Sequence, residues 1–270
     1  MNSHDYTFEH DGLFYKHSST DEPPCDAYSM HTHNLYEVLY FINGDATHVI
    51  EDRKYKLKKG DLILIRPSKY HFIQIDSSAR YERYDILFSE RMVDRLESLP
   101  IPDDIEVINL SSNHIADGIF KKMDYYSENL DGKDFYEILK LLLNELFFCI
   151  SIDIKNTAKA DFSVLSPLLS DALGYINDNL FSLKSIGDIA AVLFVSESYL
   201  YRLFKGELKQ SPKKYILNKR LLAAQNLLAV GESPSKVYEK CGFNDYTAFY
   251  RSYKSFFGYA PSEEKKHSGS

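Results

Sequence analysis

The feature that most constrains this chain is an internal repeat near its C-terminus. The segment "LYRLFKGELKQSP" (200–212) aligns with "FYRSYKSFFGYAP" (249–261) at an offset of 49. The alignment pairs Leu200 with Phe249, Tyr201 with Tyr250, Arg202 with Arg251, Phe204 with Tyr253, Lys205 with Lys254 and Pro212 with Pro261. Upstream the offset becomes 48, matching "IAAVLFVS" (189–196) to "VYEKCGFN" (237–244). Self-similarity of this kind marks two copies of one supersecondary unit. Each copy reads as a short helix, a tight turn and a longer helix, which is the sequence form of a helix-turn-helix.

Helical periodicity divides each second helix into a packed face and a free one. In the first copy Leu200, Leu203, Phe204 and Leu208 share a face, leaving Glu197, Ser198, Tyr201, Arg202 and Lys205 outside. In the second, Phe249, Tyr253, Phe256 and Phe257 form the apolar stripe, leaving Asp245, Tyr246, Thr247, Tyr250, Arg251 and Lys254. The aromatic abundance of "GFNDYTAFYRSYKSFFGYAP" (242–261) is thereby read mainly as packing. Arginine can read guanine bidentately, while lysine and hydroxyls hold phosphates or base edges, so the outward set suits a major groove.

The helix between the copies, "PKKYILNKRLLAAQNLLAV", spans roughly 28 Å, close to the ~34 Å between successive major-groove segments on one DNA face. Lys213, Lys214, Lys219 and Arg220 on or near it are expected to meet backbone phosphates. Helices are expected at about 164–179, 185–193, 197–208, 212–230, 235–241, 245–257 and from 262.

Charge supports this division. The whole chain carries −7, but residues 1–163 hold 18 Lys+Arg against 29 Asp+Glu, and residues 164–270 hold 14 against 10. Only the C-terminal part is basic, as phosphate binding requires locally. The opening "MNSHDYTFEHDG" is polar and acidic and no long apolar run follows, so a cytoplasmic protein without membrane association is expected. Cys25, Cys149 and Cys241 are widely separated and fit neither a disulfide framework nor a cysteine metal site.

The N-terminal half has different periods. From about Tyr28 to Ser89 the text alternates and is β-branched, with breaks at Asn43-Gly44-Asp45, Asp52-Arg53 and Lys59-Gly60-Asp61, which predicts an antiparallel sandwich or small barrel. From about Asn113 to Ile154 two amphipathic helices joined at Asp131-Gly132 are expected, the second apolar at Ile138, Leu141, Leu142, Leu146 and Cys149. That apolar run is wider than one core stripe needs, which leaves open packing on its own barrel or sharing with a second subunit. "KNTAKADFS" (155–163) reads as a linker.

With these motifs in view, the C-terminal segment resembles the DNA-binding domain of the AraC/XylS family of bacterial transcription regulators. The resemblance runs from Leu165 to Lys266. It rests on "S-x-S-x-L-x-R-L-F-K" (196–205), "S-P-x-x-Y-x-L-x-x-R-L-x-x-A-x-x-L-L" (211–228) and "G-F-x-D-x-x-x-F-x-R-x-Y-K-x-x-x-G-x-x-P" (242–261). The chain departs from the family pattern at Tyr238, where a small Ala is usual, and at Phe194 and Lys209, where Gly is usual. The usual terminal aromatic and Arg are replaced in Pro261-Ser262-Glu263-Glu264-Lys265.

In the N-terminal half, H-x-H-x3-E-x6-G followed by G-x6-P-x3-H resembles the two cupin motifs, and a small barrel of this kind commonly accompanies AraC-type DNA-binding domains. His31, His33, Glu37 and His71 fall on the cupin metal-ligand positions, with Ser68 where metal cupins usually have Gly. His31, His33 and Glu37 share parity, so on one strand they would face one side. The expected effector-binding set is His31, His33, Glu37, Tyr40, Arg66 and His71, with Tyr36 and Phe72 as further pocket candidates. No cofactor is assigned, and a divalent metal, if one is bound, would take His31, His33, Glu37 and His71.

The resulting expectation is a two-domain chain: an all-β cupin-like barrel with an appended helical pair, then an all-α double helix-turn-helix domain. The expected boundaries are 1–110 for the barrel, 111–155 for a helical dimerisation segment, 156–163 for a linker and 164–267 for the DNA-binding domain. The expected DNA contacts are Glu197, Ser198, Tyr201, Arg202, Lys205, Lys213, Lys214, Tyr246, Thr247, Tyr250, Arg251 and Lys254. The resemblance implies promoter DNA, a small effector such as a sugar, RNA polymerase and a second copy of the chain as partners, and no catalysis. A metal-dependent cupin enzyme tethered to a DNA-binding domain, and a ligand-independent regulator with a structural barrel, stand as the alternatives.

Overall fold

The computed structural model describes residues 5–23, 31–94, 101–154 and 160–264. Cys25, Lys265 and Lys266 lie outside the described residues, as do 155–159 of the expected linker. The chain divides into two compact units, Met1–Ser163 and Val164–Ser270.

The first unit is built from β1 (Asp5–His10), β2 (Leu13–Thr20), β3 (Tyr36–Asn43), β4 (Ala46–Ile50), β5 (Arg53–Lys56), β6 (Asp61–Ile65), β7 (His71–Ile75), β8 (Tyr81–Phe88) and β9 (Val107–Asn109). One sheet has the order β1-β2-β8-β3-β6-β9, and β5-β4-β7 are neighbours in the second. Strands β1, β2 and β9 lie outside the 28–89 window read from the sequence. Strand β9 is only three residues long, and β1 is set by its antiparallel pairing with β2 across Asp11-Gly12, both in the left-handed region.

Strand β3 is buried on both faces. Leu39 and Phe41 point into the core between the sheets, with Ile63, Ile65, Ile73 and Tyr81. Val38 and Tyr40 point the other way, into the core shared with the helices. Those helices are α1 (His114–Asn129) and α2 (Gly132–Asp153), capped by Asn113 and Asp131, whose side chains accept backbone N–H bonds in each first turn. Asp124 of α1 accepts from Tyr15 Oη at 2.8 Å and Tyr84 Oη at 2.5 Å, and meets His17 Nδ1 at 3.0 Å. Burial alone would lower the His17 pKa, but Asp124 and Glu82 outweigh it and hold it above its ordinary value.

The buried stripe of α2 is Phe135, Leu139, Leu142, Leu143, Leu146, Phe147 and Ile150. Of the expected apolar positions, Leu142, Leu146 and Cys149 are buried and Ile138 is partly buried, but Leu141 is corrected: it is 65 % exposed, and Phe148 and Ile152 join it outside. A helix apolar nearly all round gives periodicity too little contrast to fix its inner face.

The second unit contains α3 (Pro167–Asn179), α4 (Ile186–Val192), α5 (Glu197–Leu208), α6 (Pro212–Ala229), α7 (Pro234–Lys240) and α8 (Tyr246–Phe257), then a 3-10 turn at Pro261–Glu263. Ser185, Ser196, Ser211 and Asp245 cap α4, α5, α6 and α8. Asp245, expected among the groove-facing residues, is thereby engaged with Ala248 N. Glu264, where the family has an aromatic, is buried and accepts from Tyr253 Oη at 2.5 Å and Tyr259 Oη at 2.8 Å. Cys149 and Cys241 are buried free thiols.

The repeat extends to the backbone. Helix α4 ends with Phe194 N bonding Ala191 O and Val195 N bonding Ala190 O, while α7 ends with Gly242 N on Glu239 O and Phe243 N on Tyr238 O. Both are Schellman endings, which need a left-handed residue after the helix. Gly242 has φ 77° and Phe194 φ 55°; α5 and α8 likewise close on Lys209 (φ 56°) and Gly258 (φ 84°). The two departures from glycine keep the glycine conformation at a cost of roughly 1 kcal/mol each. Because the Phe194 side chain is 95 % exposed, Phe194→Gly removes this strain without losing packing. The expected outcome is a net gain of about 0.5–1 kcal/mol, read as a melting temperature higher by roughly 2–4 °C. A lower melting temperature would contradict this account of the turn.

Candidate functional site

Two groups of residues carry chemistry, one in each unit. In the second unit, Glu197, Ser198, Arg202 and Lys205 of α5 are exposed, with Tyr201 half-buried beside them. On α8, Tyr246, Thr247, Arg251 and Lys254 are exposed and Tyr250 is half-buried. The opposite faces are anchored by Leu200, Phe204 and Leu208, and by Phe249 and Tyr253. Phe256 and Phe257 are only partly buried against that second core. The Arg202 guanidinium lies 5.7 Å from the Tyr199 ring centroid, which holds it along the helix surface.

The cations of α6 divide into two kinds. Lys213 and Lys214, at its N-terminus, are exposed. Lys219 instead donates to Asn177 Oδ1 at 2.8 Å and sits over Tyr215. Arg220 is turned inward, donating to Leu180 O at 2.9 Å, Leu183 O at 2.6 Å and Gly242 O at 2.8 Å. The expectation that Arg220 meets phosphate is therefore corrected: all three bonds go to loop carbonyls left over by helix ends. A charge pattern alone cannot separate a phosphate-binding arginine from one that satisfies buried backbone.

In the first unit, His31, His33, Glu37 and His71 converge, with their ligand atoms all within 4.8 Å of one another. They do not share one strand as parity suggested. Glu37 lies on β3 and His71 on β7, while His31 and His33 sit in the segment before β3. That segment is held by a reciprocal backbone pair between His31 and His71, 3.0 Å each way, and by Ser68 N donating to His33 O at 2.8 Å. Ser68 adopts φ 66°, so a left-handed turn is kept where glycine was expected.

The ring orientations are fixed. His33 Nδ1 lies 2.9 Å from Leu35 O and His71 Nδ1 3.0 Å from Lys69 O; a carbonyl only accepts, so both Nδ1 atoms are donors. Their Nε2 atoms both face Glu37 Oε2, at 2.9 and 3.0 Å. Burial would raise the Glu37 pKa, but the His71 charge and bonds from both rings hold it well below the usual carboxylate range. Burial likewise opposes charge on His71, yet Glu37 raises its pKa above the ordinary value.

Three neighbours of this cluster were not identified in the sequence. His48 on β4 is completely buried, its ring 5.9 Å from that of His71, and burial pushes its pKa down to about 3. Arg83 and Asp85 on β8 pair at 3.4 Å; burial and then the Glu37 charge push the Asp85 pKa up. Strand alternation was the available signal, since Arg83 and Asp85 have the parity opposite to Tyr84 and Ile86 of the helix-facing core.

Other expected pocket residues lie elsewhere. Tyr40 stacks on Phe120 of α1 at 4.3 Å, and Tyr36 on Phe88, both on the helix side of the sheet. Arg66 donates to Ile105 O at 3.0 Å and Pro102 O at 2.9 Å, clamping the approach to β9. Phe72 alternates with His71 and Ile73 and so faces away from the cluster.

Comparison with known proteins gives two family matches: an AraC-like ligand-binding domain over residues 19–124 and a helix-turn-helix domain over residues 189–267. The probable transcriptional regulator LumQ of Photobacterium leiognathi is 33% identical over 33% of this chain, which spans 36% of that relative. The raffinose operon transcriptional regulatory protein RafR of Pediococcus pentosaceus is 24% identical over 87% of this chain and 86% of its own length. An AraC-type regulator structure from Chromobacterium violaceum is 34% identical over 38% of this chain and 92% of that one, with TM-score 0.36. With a ligand-binding domain matched from the end of β2 into α1 and a helix-turn-helix domain matched from within α4 onward, which together cover most of its length, the chain belongs to the AraC family of transcriptional regulators.

Proposed function

We propose that this chain is a one-component regulator that binds promoter DNA through both helix-turn-helix units of a single polypeptide and is controlled by a small molecule in the N-terminal barrel. The observation that carries this reading is the equal placement of Arg202 and Lys205 on α5 and of Arg251 and Lys254 on α8, all four exposed, above matching buried stripes. Arg202 and Arg251 are assigned to base edges, with Glu197, Ser198, Tyr201, Tyr246, Thr247 and Tyr250 around them. Lys205, Lys254, Lys213 and Lys214 are assigned to phosphates.

The effector is assigned to the side of the barrel lined by His31, His33, Glu37 and His71. The raffinose operon regulator it resembles makes a sugar or similar metabolite a reasonable first candidate. Effector binding acts by favouring one of two arrangements that differ in DNA affinity. The family matches favour this regulator over an enzyme tethered to DNA. Among the described residues no helix is long and apolar enough to cross a membrane, in keeping with a cytoplasmic site of action alongside RNA polymerase.

We assign homodimerisation to the outer face of α2. Leu141, Phe148 and Ile152 are 65 %, 54 % and 65 % exposed. At 100° per residue they fall within about 40° of one another, an apolar face opposite the buried one, with Glu145 between Leu141 and Phe148. The double substitution Leu141→Glu and Phe148→Glu is expected to turn a dimer into a 31.2 kDa monomer by light scattering, with an unchanged circular dichroism spectrum. A wild-type mass of one chain would contradict the assignment.

Arg202→Ala and Arg251→Ala are each expected to weaken specific promoter binding by about 1–3 kcal/mol, roughly 5- to 150-fold in Kd, in a gel-shift titration at fixed salt. Unchanged affinity in both variants would remove the groove-facing assignment.

A further inference from the structure

We infer that a cavity of about 550 Å³ on the helix side of the barrel, between α1 and strands β3 and β8, is a second small-molecule site, one that takes a small polyhydroxylated anion such as a sugar acid or a sugar phosphate. It is separate from the cluster of His31, His33, Glu37 and His71, because Tyr40 and Tyr84 face the opposite way on the same strands. Helix α1 is fastened to the sheet by Phe120, stacked on Tyr40 at 4.3 Å with the rings 2° from parallel, and by Asp124, which accepts from Tyr84 Oη at 2.5 Å. Toward its N-terminus the helix and the sheet leave the cavity between them. His114, Asp117 and Lys121, on one face at helical spacing, form one wall, and Tyr40, Ile42, Glu82 and Tyr84 form the other. One end is closed by main chain: Gly60 N donates to Phe41 O at 2.9 Å, Leu110 N donates to Gly60 O at 2.7 Å, and a Cβ on Gly60 would lie 2.7 Å from Ser111 Cα. The volume lies within the ~300–1,000 Å³ usual for small-molecule sites.

The hydroxyl groups of the ligand are called for by Tyr40. This residue is 4 % exposed, lines the cavity, and its own hydroxyl has no hydrogen-bond partner among the described residues. A buried hydroxyl without a partner is costly, and a ligand hydroxyl supplies one. Burial and then the Asp117 charge hold the Tyr40 pKa above its ordinary value, in keeping with hydroxyl and carboxylate facing one space. Asp117 and Glu82 offer acceptors for further hydroxyls, while Ile42 and the two tyrosine rings offer apolar surface for a carbon skeleton. A purely apolar ligand would leave the Tyr40 hydroxyl unanswered.

The negative charge follows from how the ionic groups are paired. Glu82 meets His17 Nε2 at 3.3 Å and Arg80 at 3.4 Å, and Asp117 accepts from Lys121 Nζ at 2.6 Å. Lys59, exposed at the rim, has no ion-pair partner among the described residues. It lines the cavity together with Ser111 and His114, at the positive end of α1. Both carboxylates are thus matched and one cation is left over, which favours an anionic group at the rim with hydroxyls deeper. A ligand so placed touches β3, β8 and α1 at once, so its binding stabilises the packing of the helix on the sheet.

The test uses the full chain in calorimetric titrations and melting curves with gluconate, glucuronate and mannitol phosphate, and with glucose and inorganic phosphate as the separate halves of such a ligand. The expected result is saturable binding of at least one of the sugar anions with Kd below about 1 mM and a raised melting temperature, and binding at least about tenfold weaker for glucose and for phosphate. A preference for the carboxylates or for the phosphate tells which kind of anion the site takes, and either supports it. Lys59→Met, at an exposed position, is expected to lower the affinity about tenfold, and Tyr40→Phe, which keeps the ring on Phe120, roughly 2- to 10-fold, both with the wild-type circular dichroism spectrum. The proposal is overturned if none of the sugar anions binds below about 1 mM, or if glucose binds as tightly as they do. It is also overturned if folded Lys59→Met and Tyr40→Phe both bind as wild type does, since the ligand then sits elsewhere on the chain.

Discussion

The geometry of the DNA-binding unit depends on one side chain. Arg220, midway along α6, donates to Leu180 O and Leu183 O ahead of α4 and to Gly242 O in the turn before α8. Its guanidinium thus joins the connecting helix to the approach to the first helix-turn-helix and to the turn of the second. Gly242 is fixed by the same contact: a Cβ there would lie 2.6 Å from Phe181 O and 3.0 Å from the guanidinium carbon. Beside this junction, within the C-terminal unit, lies a cleft of about 370 Å³ lined by Ile186, Lys213, Ile216, Leu217 and Ala248. The 18 residues of α6 give about 27 Å of rigid spacer, and Arg220 sets how each unit is mounted on it.

In the barrel the corresponding constraint is the alternation of β3 and β8. Each strand gives one face to the helical layer and the other to the polar cluster. Val38, Tyr40, Tyr84 and Ile86 pack beneath α1 and α2, while Glu37, Arg83 and Asp85 have the opposite parity. The same strands therefore carry the polar cluster on one face and the packing surface for the helical layer on the other. Strand β8 is tied to α1 directly, through the Tyr84 hydroxyl donating to Asp124.

What could be read from the sequence follows the range of the interactions involved. The helices of the second unit are set by local period, by Ser or Asp caps and by prolines in their first turns, so α5 and α8 begin within a residue of their expected positions. The four convergent residues of the barrel were also legible, through the resemblance of their motifs to those of cupins. The route by which they converge was not, because His31 is placed by a backbone pair with a residue forty positions away. For Arg83 and Asp85 alternation gives the face of β8 on which they stand, but that this face meets Glu37, and that His48 borders His71, is set by strand pairing. Arg220 shows the limit on charge. Its role is set by three carbonyls contributed by loops 22 to 40 residues away in sequence.

The central claim is that one chain presents two recognition helices at a spacing fixed by α6 and Arg220. Hydroxyl-radical footprinting of the purified chain on its promoter tests this most directly. The account predicts, for each protomer, two protected patches on one face of the duplex about one helical turn, or 10–10.5 base pairs, apart. A single protected patch per protomer, or two patches on opposite faces, would contradict it.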